Sequence, residues 1–196
     1  MVSTVFRKEY PLPEVDKKEV LRYSGVKEAD KATDILIDDC IKEVGDISGK
    51  VCWLTCPVKV EPERVSLPFG TICSKDLSKN LEGCDRLIVF GATIGLNIDR
   101  IIAKYSLTAL SRAVIMQAIG AERVEKLCDV FCEEIEKSYC VKPRFSPGYG
   151  DVALSVQSDL IKVLDASKKI GISLSDSMTL SPTKSVTAFV GIKGDR

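Results

Sequence analysis

Histidine is absent from all 196 residues. That excludes Ser-His and Cys-His nucleophiles, an imidazole base and His-ligated zinc. Any chemistry rests on carboxylates, arginine, lysine, tyrosine, thiols or a cofactor carried by a partner. Net charge is missing too: 28 Lys and Arg balance 28 Asp and Glu, so no overall field recruits nucleic acid or an anionic membrane. Long apolar runs are lacking, and the strongest, Leu87 to Leu96, is far shorter than the ~20 residues that span a bilayer. The start, Val2 to Val5 followed by Arg7, Lys8 and Glu9, has no basic opening and no apolar core of signal-peptide length. A cytoplasmic protein with no nucleic-acid or membrane partner is expected.

Cysteine is plentiful, with eight at positions 40, 52, 56, 73, 84, 128, 132 and 140. None is spaced Cys-x-x-Cys; Cys52/Cys56 and Cys128/Cys132 are Cys-x-x-x-Cys. Without a secretory signal, disulfides are not expected. Beside Leu127, Phe131 and Ile135, the second pair reads as small buried hydrophobes. A cysteine-based metal or redox protein is the alternative reading.

At this length a single domain spanning 1–196 with its own core is expected. A strand over Val2 to Lys8 precedes a short helix, Asp16 to Tyr23, ending near Gly25. A second helix, Ala29 to Val44, places Leu36, Ile37, Cys40, Ile41 and Val44 on one face. Val51 to Val60 and Arg64 to Leu67 read as strands joined by Glu61-Pro62-Glu63. Ser74 caps a short helix through Leu81. Asp85 to Leu96 is an apolar strand entering a turn at Thr93-Ile94-Gly95, and Asn97 starts a helix to Tyr105. The turn is neither a P-loop nor G-x-G-x-x-G, and a structural role is the better reading.

A long helix, Thr108 to Lys137 with an interruption at Gly120, carries a core stripe of Val114, Ala118, Ala121, Val124, Leu127, Cys128, Phe131 and Ile135. Glu125 and Asp129, at i and i+4, share one face. Glu122, Glu133, Glu134 and Glu136 extend the acids, most of which a solvated face explains. A helix from Ser158 to Lys169 stops at Gly171, and a strand pair lies around Met178 and Val186 to Ile192, with Pro182 in the turn.

Between them stands Arg144-Phe145-Ser146-Pro147-Gly148-Tyr149-Gly150. A guanidinium can fork onto a planar carboxylate. Pro147-Gly148 makes a turn that approaches a ligand closely, and Tyr149 adds an aromatic face. The set suits a small ligand with a carboxylate and a flat heterocycle; taken alone, the segment reads better as a surface turn with a solvated arginine.

In this order the elements resemble the activation (reactivation) domain of cobalamin-dependent methionine synthase, in its free-standing subunit form. The resemblance rests on Asp85 to Leu96, on Ile115-Met116 and Val124 to Phe131, on the Arg144-x-x-x-Gly148-Tyr149 signature, and on Leu174 to Ser177 with Pro182 and Ser185-Val186. It covers roughly residues 85–192, and residues 1–84 form a shorter, family-variable part. Glu19 to Gly25 is similar to the start of the free-standing subunits. The fold implied is α/β (α+β), a twisted, largely antiparallel sheet packed with helices.

The resemblance implies an S-adenosylmethionine site. Arg144 would hold the methionyl carboxylate, the Pro147, Gly148 and Tyr149 backbone would bond adenine and ribose, and Asp129 and Glu125 would face the amino group. Cobalamin would be carried by a partner, the catalytic subunit of methionine synthase, with a flavodoxin- or ferredoxin-like protein as electron donor. The chain would then be an auxiliary subunit without turnover alone; another corrinoid methyltransferase is an alternative client. Methyl transfer from a sulfonium moves no proton, so a chain without histidine fits. Two departures stand out: only 14 residues separate Asp129 from Arg144, and the family's tyrosine beyond the last hairpin has no counterpart up to Arg196. Weaker affinity, or a site completed by a partner, is expected from the second.

Overall fold

The structure, a computed structural model, describes residues 4–26 and 28–195. The first half runs β1 (Phe6–Pro11), α1 (Lys17–Ser24), α2 (Lys31–Val44), β2 (Ser48–Pro57), β3 (Lys59–Glu61), β4 (Arg64–Leu67), β5 (Gly70–Cys73) and α3 (Lys75–Asn80). The second runs β6 (Arg86–Thr93), α4 (Asn97–Ser106), α5 (Leu110–Glu136), β7 (Tyr139–Val141), α6 (Val156–Val163), α7 (Ala166–Ile170), β8 (Ser173–Leu174), β9 (Leu180–Ser181) and β10 (Ser185–Asp195). The expected strand at Val2 to Lys8 begins at Phe6 among the described residues, and positions 1–3 lie outside them.

Local chemistry explains the helix ends. Asp16 accepts from the Lys18 amide at 2.9 Å and Asp30 from the Thr33 amide at 2.8 Å, the bonds a side-chain N-cap supplies. Gly25, at φ 75°, closes α1 in the left-handed region where glycine has no Cβ penalty.

The main sheet has the order β1-β2-β6-β10-β7, and its pairings are antiparallel. Successive side chains point to opposite faces, and both faces are covered. Ile88, Phe90, Ala92, Ala188 and Val190 face a core shared with α2, α4 and α5. Leu87, Val89, Cys52, Leu54 and Phe189 face a second core with α3, α6 and α7. That double cover is why β6 reads as one unbroken apolar run: Leu87 through Thr93 are all buried. Phe131 of α5 sits 4.9 Å from Phe90 and 5.3 Å from Trp53, ring centre to ring centre, and its full burial contributes about 2 kcal/mol. Gly49 permits the close approach of β2 and α5, because a Cβ there would strike the Leu127 side chain.

Several expectations need correction. Helix α5 runs straight through Gly120, where the missing side chain makes room for the stem of Lys184; a Cβ would lie 2.8 Å from its Cε. Val114 is 43% exposed rather than in the core, since the buried face at that end uses Ala113, Ile115 and Met116. Glu122 is buried, not part of a solvated acidic surface. The helix expected over Ser158 to Lys169 is two, broken at Asp165, whose φ of 47° stops the first. Met178 lies in a turn at φ 60° rather than in a strand. The strand expected over Val51 to Val60 is two, β2 and β3, in different sheets, and the short strands β5, β7 and β8 lie where none is expected. Among the described residues no helix is long and apolar enough to cross a membrane.

Candidate functional site

Helix α5 carries Glu125 and Asp129 one turn apart, facing the chain that leaves β7. There Phe145 makes a two-bond bridge with Phe189 of β10, at 2.9 and 2.8 Å, so the backbone next to Arg144 is tied to the sheet. The guanidinium turns onto the helix: Nη1 donates to Asp129 Oδ1 at 2.5 Å and Nη2 to Glu125 Oε2 at 2.6 Å. Burial on its own would lower the Arg144 pKa, but the hydrogen bond it donates to Asp129 and the charges of both acids hold it above its ordinary value. The side chain of Arg144 is 28% exposed, and those of Glu125 and Asp129 39% and 48%. This ion-paired cluster is therefore partly desolvated yet open to a ligand.

The cluster divides two cavities. One, of about 380 Å³, is walled by Phe145, Tyr149, Leu180 and Val186, and Glu125 and Arg144 stand at its edge. Its lining includes two buried polar residues, Gln157 and Thr187. The other, of about 700 Å³, lies between α1 and α5; it shares Glu125 and Arg144 with the first and is also lined by Asp129. Glu19, Arg22 and Tyr23 of α1 line it, so the Glu19 to Gly25 segment stands across from Arg144, a neighbourhood that spacing along the chain does not show.

The Pro147-Gly148-Tyr149 turn is buried at Pro147 and exposed at Gly148 and Tyr149. Gly148 takes φ 87°, where a side chain would be strained. Its amide donates to the Val152 carbonyl at 2.9 Å, and the Tyr149 amide to the Ser146 carbonyl at 3.2 Å. Both donors are thus engaged inside the turn, and the backbone here offers a ligand carbonyl oxygens rather than N–H groups. Tyr149 presents its ring at 69% exposure.

Two supports escaped the sequence reading. Asp151, just past the turn, accepts from the Lys75 amide at 2.7 Å, the Asp76 amide at 3.3 Å and the Ser74 hydroxyl. This pins the loop to the start of α3. Hydrogen bonds from Ser74 and then from the Lys75 amide hold the Asp151 carboxyl below the usual range. Gln157 is the other. A lone glutamine at a helix start carries no pattern, whereas an Asp directly after Gly-Tyr-Gly could have been marked as a cap for a distant helix. The Thr93 turn is bound to β10: Ser185 Oγ donates to Thr93 Oγ1 at 2.8 Å, and Thr93 Oγ1 accepts from the Gly95 amide at 3.1 Å.

The thiols do not gather. Cys40, Cys52, Cys56, Cys84 and Cys128 are buried, Cys132 is intermediate, and Cys73 and Cys140 are exposed, all unpaired. Among the described residues no group of three or more His, Cys, Asp or Glu has metal-binding geometry.

No family model matches the chain, and no curated protein matches it. Among solved structures, it is similar to a crystal structure of the MetH reactivation domain bound to AdoHcy, with TM-score 0.71 and 12% identity over 99% of this chain and 80% of that one. The likeness is one of fold: a curled antiparallel sheet packed against helices, the architecture described above.

Proposed function

We propose that this chain binds S-adenosylmethionine at Arg144 and serves the reductive remethylation of cob(II)alamin on a separate cobalamin-dependent methionine synthase, with a flavodoxin- or ferredoxin-like protein as electron donor. The observation that carries the reading is Arg144, held between Glu125 and Asp129 beside an aromatic-walled cavity, in a fold shared with a domain that binds AdoHcy.

The residues fit such a ligand. Two carboxylates and one guanidinium give the cluster a formal charge of −1, and S-adenosylmethionine, with its sulfonium, ammonium and carboxylate, carries +1. Two N–H groups of Arg144 are engaged by the acids, and a guanidinium has further donors for a ligand carboxylate. Glu125 and Asp129 retain lone pairs for the ammonium. Tyr149 offers a face for adenine, while the Pro147 and Gly148 carbonyls can accept from ribose hydroxyls. When bound, S-adenosylmethionine supplies an electrophilic methyl group; the chain's part is orientation and charge.

The test is calorimetric titration of S-adenosylmethionine into the protein and into Arg144→Ala. Binding to the first and none to the second is expected. The sulfonium charge gives S-adenosylmethionine an advantage over S-adenosylhomocysteine of about 1 kcal/mol, roughly fivefold, which shrinks with salt because the acids are half exposed. No binding to the wild type, even with cobalamin-loaded methionine synthase present, overturns the reading.

A further inference from the structure

Gln157 is a buried amide in the lining of the Arg144 cavity, 7% exposed, with Thr187 beside it at 2%. It stands in the first turn of α6, and its Nε2 donates to the Met178 carbonyl at 3.0 Å. A carbonyl can only accept, so this bond decides which end of the amide is nitrogen. The oxygen is thereby turned to the Thr187 hydroxyl, which donates to it at a long 3.4 Å. A flipped amide would set two oxygens against each other at Met178. The side chain is therefore held in one orientation, with a second N–H that has no partner among the described residues and a carbonyl oxygen that has a lone pair to spare.

Tying down the Met178 turn requires only one of those N–H groups. A donor and an acceptor therefore remain on a side chain that lines the cavity together with Phe145, Leu180 and Val186, apolar groups that suit the faces of a flat ring. We propose that Gln157 is the residue that selects the base of the bound nucleoside, an inference that rests on the function proposed above. Its oxygen accepts from the exocyclic 6-amino group of adenine, and its free N–H donates to the neighbouring ring nitrogen, the same pairing by which a glutamine reads adenine in nucleic acid. A 6-oxo purine places an oxygen against the Gln157 oxygen, and the fixed amide cannot rotate to relieve it. A buried polar group left without its partner in this way costs affinity directly.

The experiment compares S-adenosylhomocysteine with S-inosylhomocysteine, its 6-oxo counterpart, by calorimetry. The proteins are the wild type, Gln157→Met and Arg144→Ala, with circular dichroism and thermal unfolding as checks on folding. The wild type is expected to prefer the adenine compound by about tenfold or more. In Gln157→Met the adenine compound weakens and the preference disappears. Arg144→Ala loses both compounds alike, since their amino-acid ends are identical. Equal binding of the two compounds by the wild type overturns the role of Gln157 and leaves the proposed function standing, as does a preference that survives in Gln157→Met. If neither compound binds the wild type, the role falls, and the function falls with it when S-adenosylmethionine fails to bind as well. Should Gln157→Met not fold, the wild-type comparison decides by itself.

Discussion

Glu122 and Arg123 are consecutive on α5, where helix geometry turns neighbours roughly 100° apart, yet they form a buried ion pair. Arg123 Nη2 donates to Glu122 Oε1 at 2.5 Å, and Nε donates to Oε2. The guanidinium also donates to the Pro13 carbonyl, and to the Glu14 carbonyl at 3.1 Å, while Glu122 Oε1 accepts from the Asp16 amide at 3.3 Å. The pair thus holds the link between β1 and α1 against the helix that carries Glu125 and Asp129, and so helps to set the width of the cavity between α1 and α5.

Truncating one partner strands the other. Arg123→Ala should destabilise the fold by about 3–5 kcal/mol, because the Glu122 charge stays buried without a counterion. A double replacement by apolar residues, Glu122→Leu with Arg123→Met, should cost less than Arg123→Ala alone. Urea denaturation measures both, and amide exchange in Arg123→Ala should rise first over residues 14–20. Equal losses in the single and double variants would contradict this account.

Arg144 has a measurable role without any ligand. In Arg144→Ala the two acids face each other at i and i+4 with no cation between them, so a loss of about 1–2 kcal/mol is expected, modest because the cluster is partly solvated. Adding Glu125→Gln to that variant should restore part of the loss. A double-mutant cycle by thermal unfolding reads the coupling, and strict additivity would show that the ion pair carries no stability.

Acid stability should trace to Asp151. Its folded pKa lies below the ordinary 3.8, so its contribution is present above about pH 4 and is lost as pH falls through the folded value. Denaturation midpoints of the wild type should drop between pH 6 and pH 3 by more than those of Asp151→Asn, and the two should converge at the acid end. Parallel curves would mean that the carboxylate does not hold the Gly148–Tyr149 loop to α3.

The thiols separate by access. Burial pushes Cys52 and Cys56 up to about 11, and burial also raises Cys40, Cys84, Cys128 and Cys132, the last two against the pull of Arg144. Native protein treated with iodoacetamide should be alkylated first at Cys73 and Cys140, as read by peptide mass spectrometry, with the rest reacting only after unfolding. Fast modification at Cys52 or Cys56 would revive a redox reading of the cysteines.

The sequence by itself determined what depends on near neighbours. Asp16, Asp30 and Ser74 cap helices because their carboxylates and hydroxyl reach amides two or three residues on, and Gly25 and Gly171 end helices because glycine takes the left-handed turn without a Cβ penalty. The buried run of β6, the long amphipathic α5 and the shared face of Glu125 and Asp129 follow from spacing in the same way. The Arg144 segment was legible as a carboxylate fork beside a close turn. Only the tertiary structure decided what depends on distant packing. It paired Arg144 with the two acids, hid Glu122 against the Pro13–Asp16 link, turned Val114 outward, engaged the Gly148 and Tyr149 amides within their own turn, and set Gln157 in the lining of the cavity with its amide held by Met178. In each of these the partner lies elsewhere along the chain, and burial, which makes an unpaired charge or amide costly, is a property of the assembled layers that no local pattern carries.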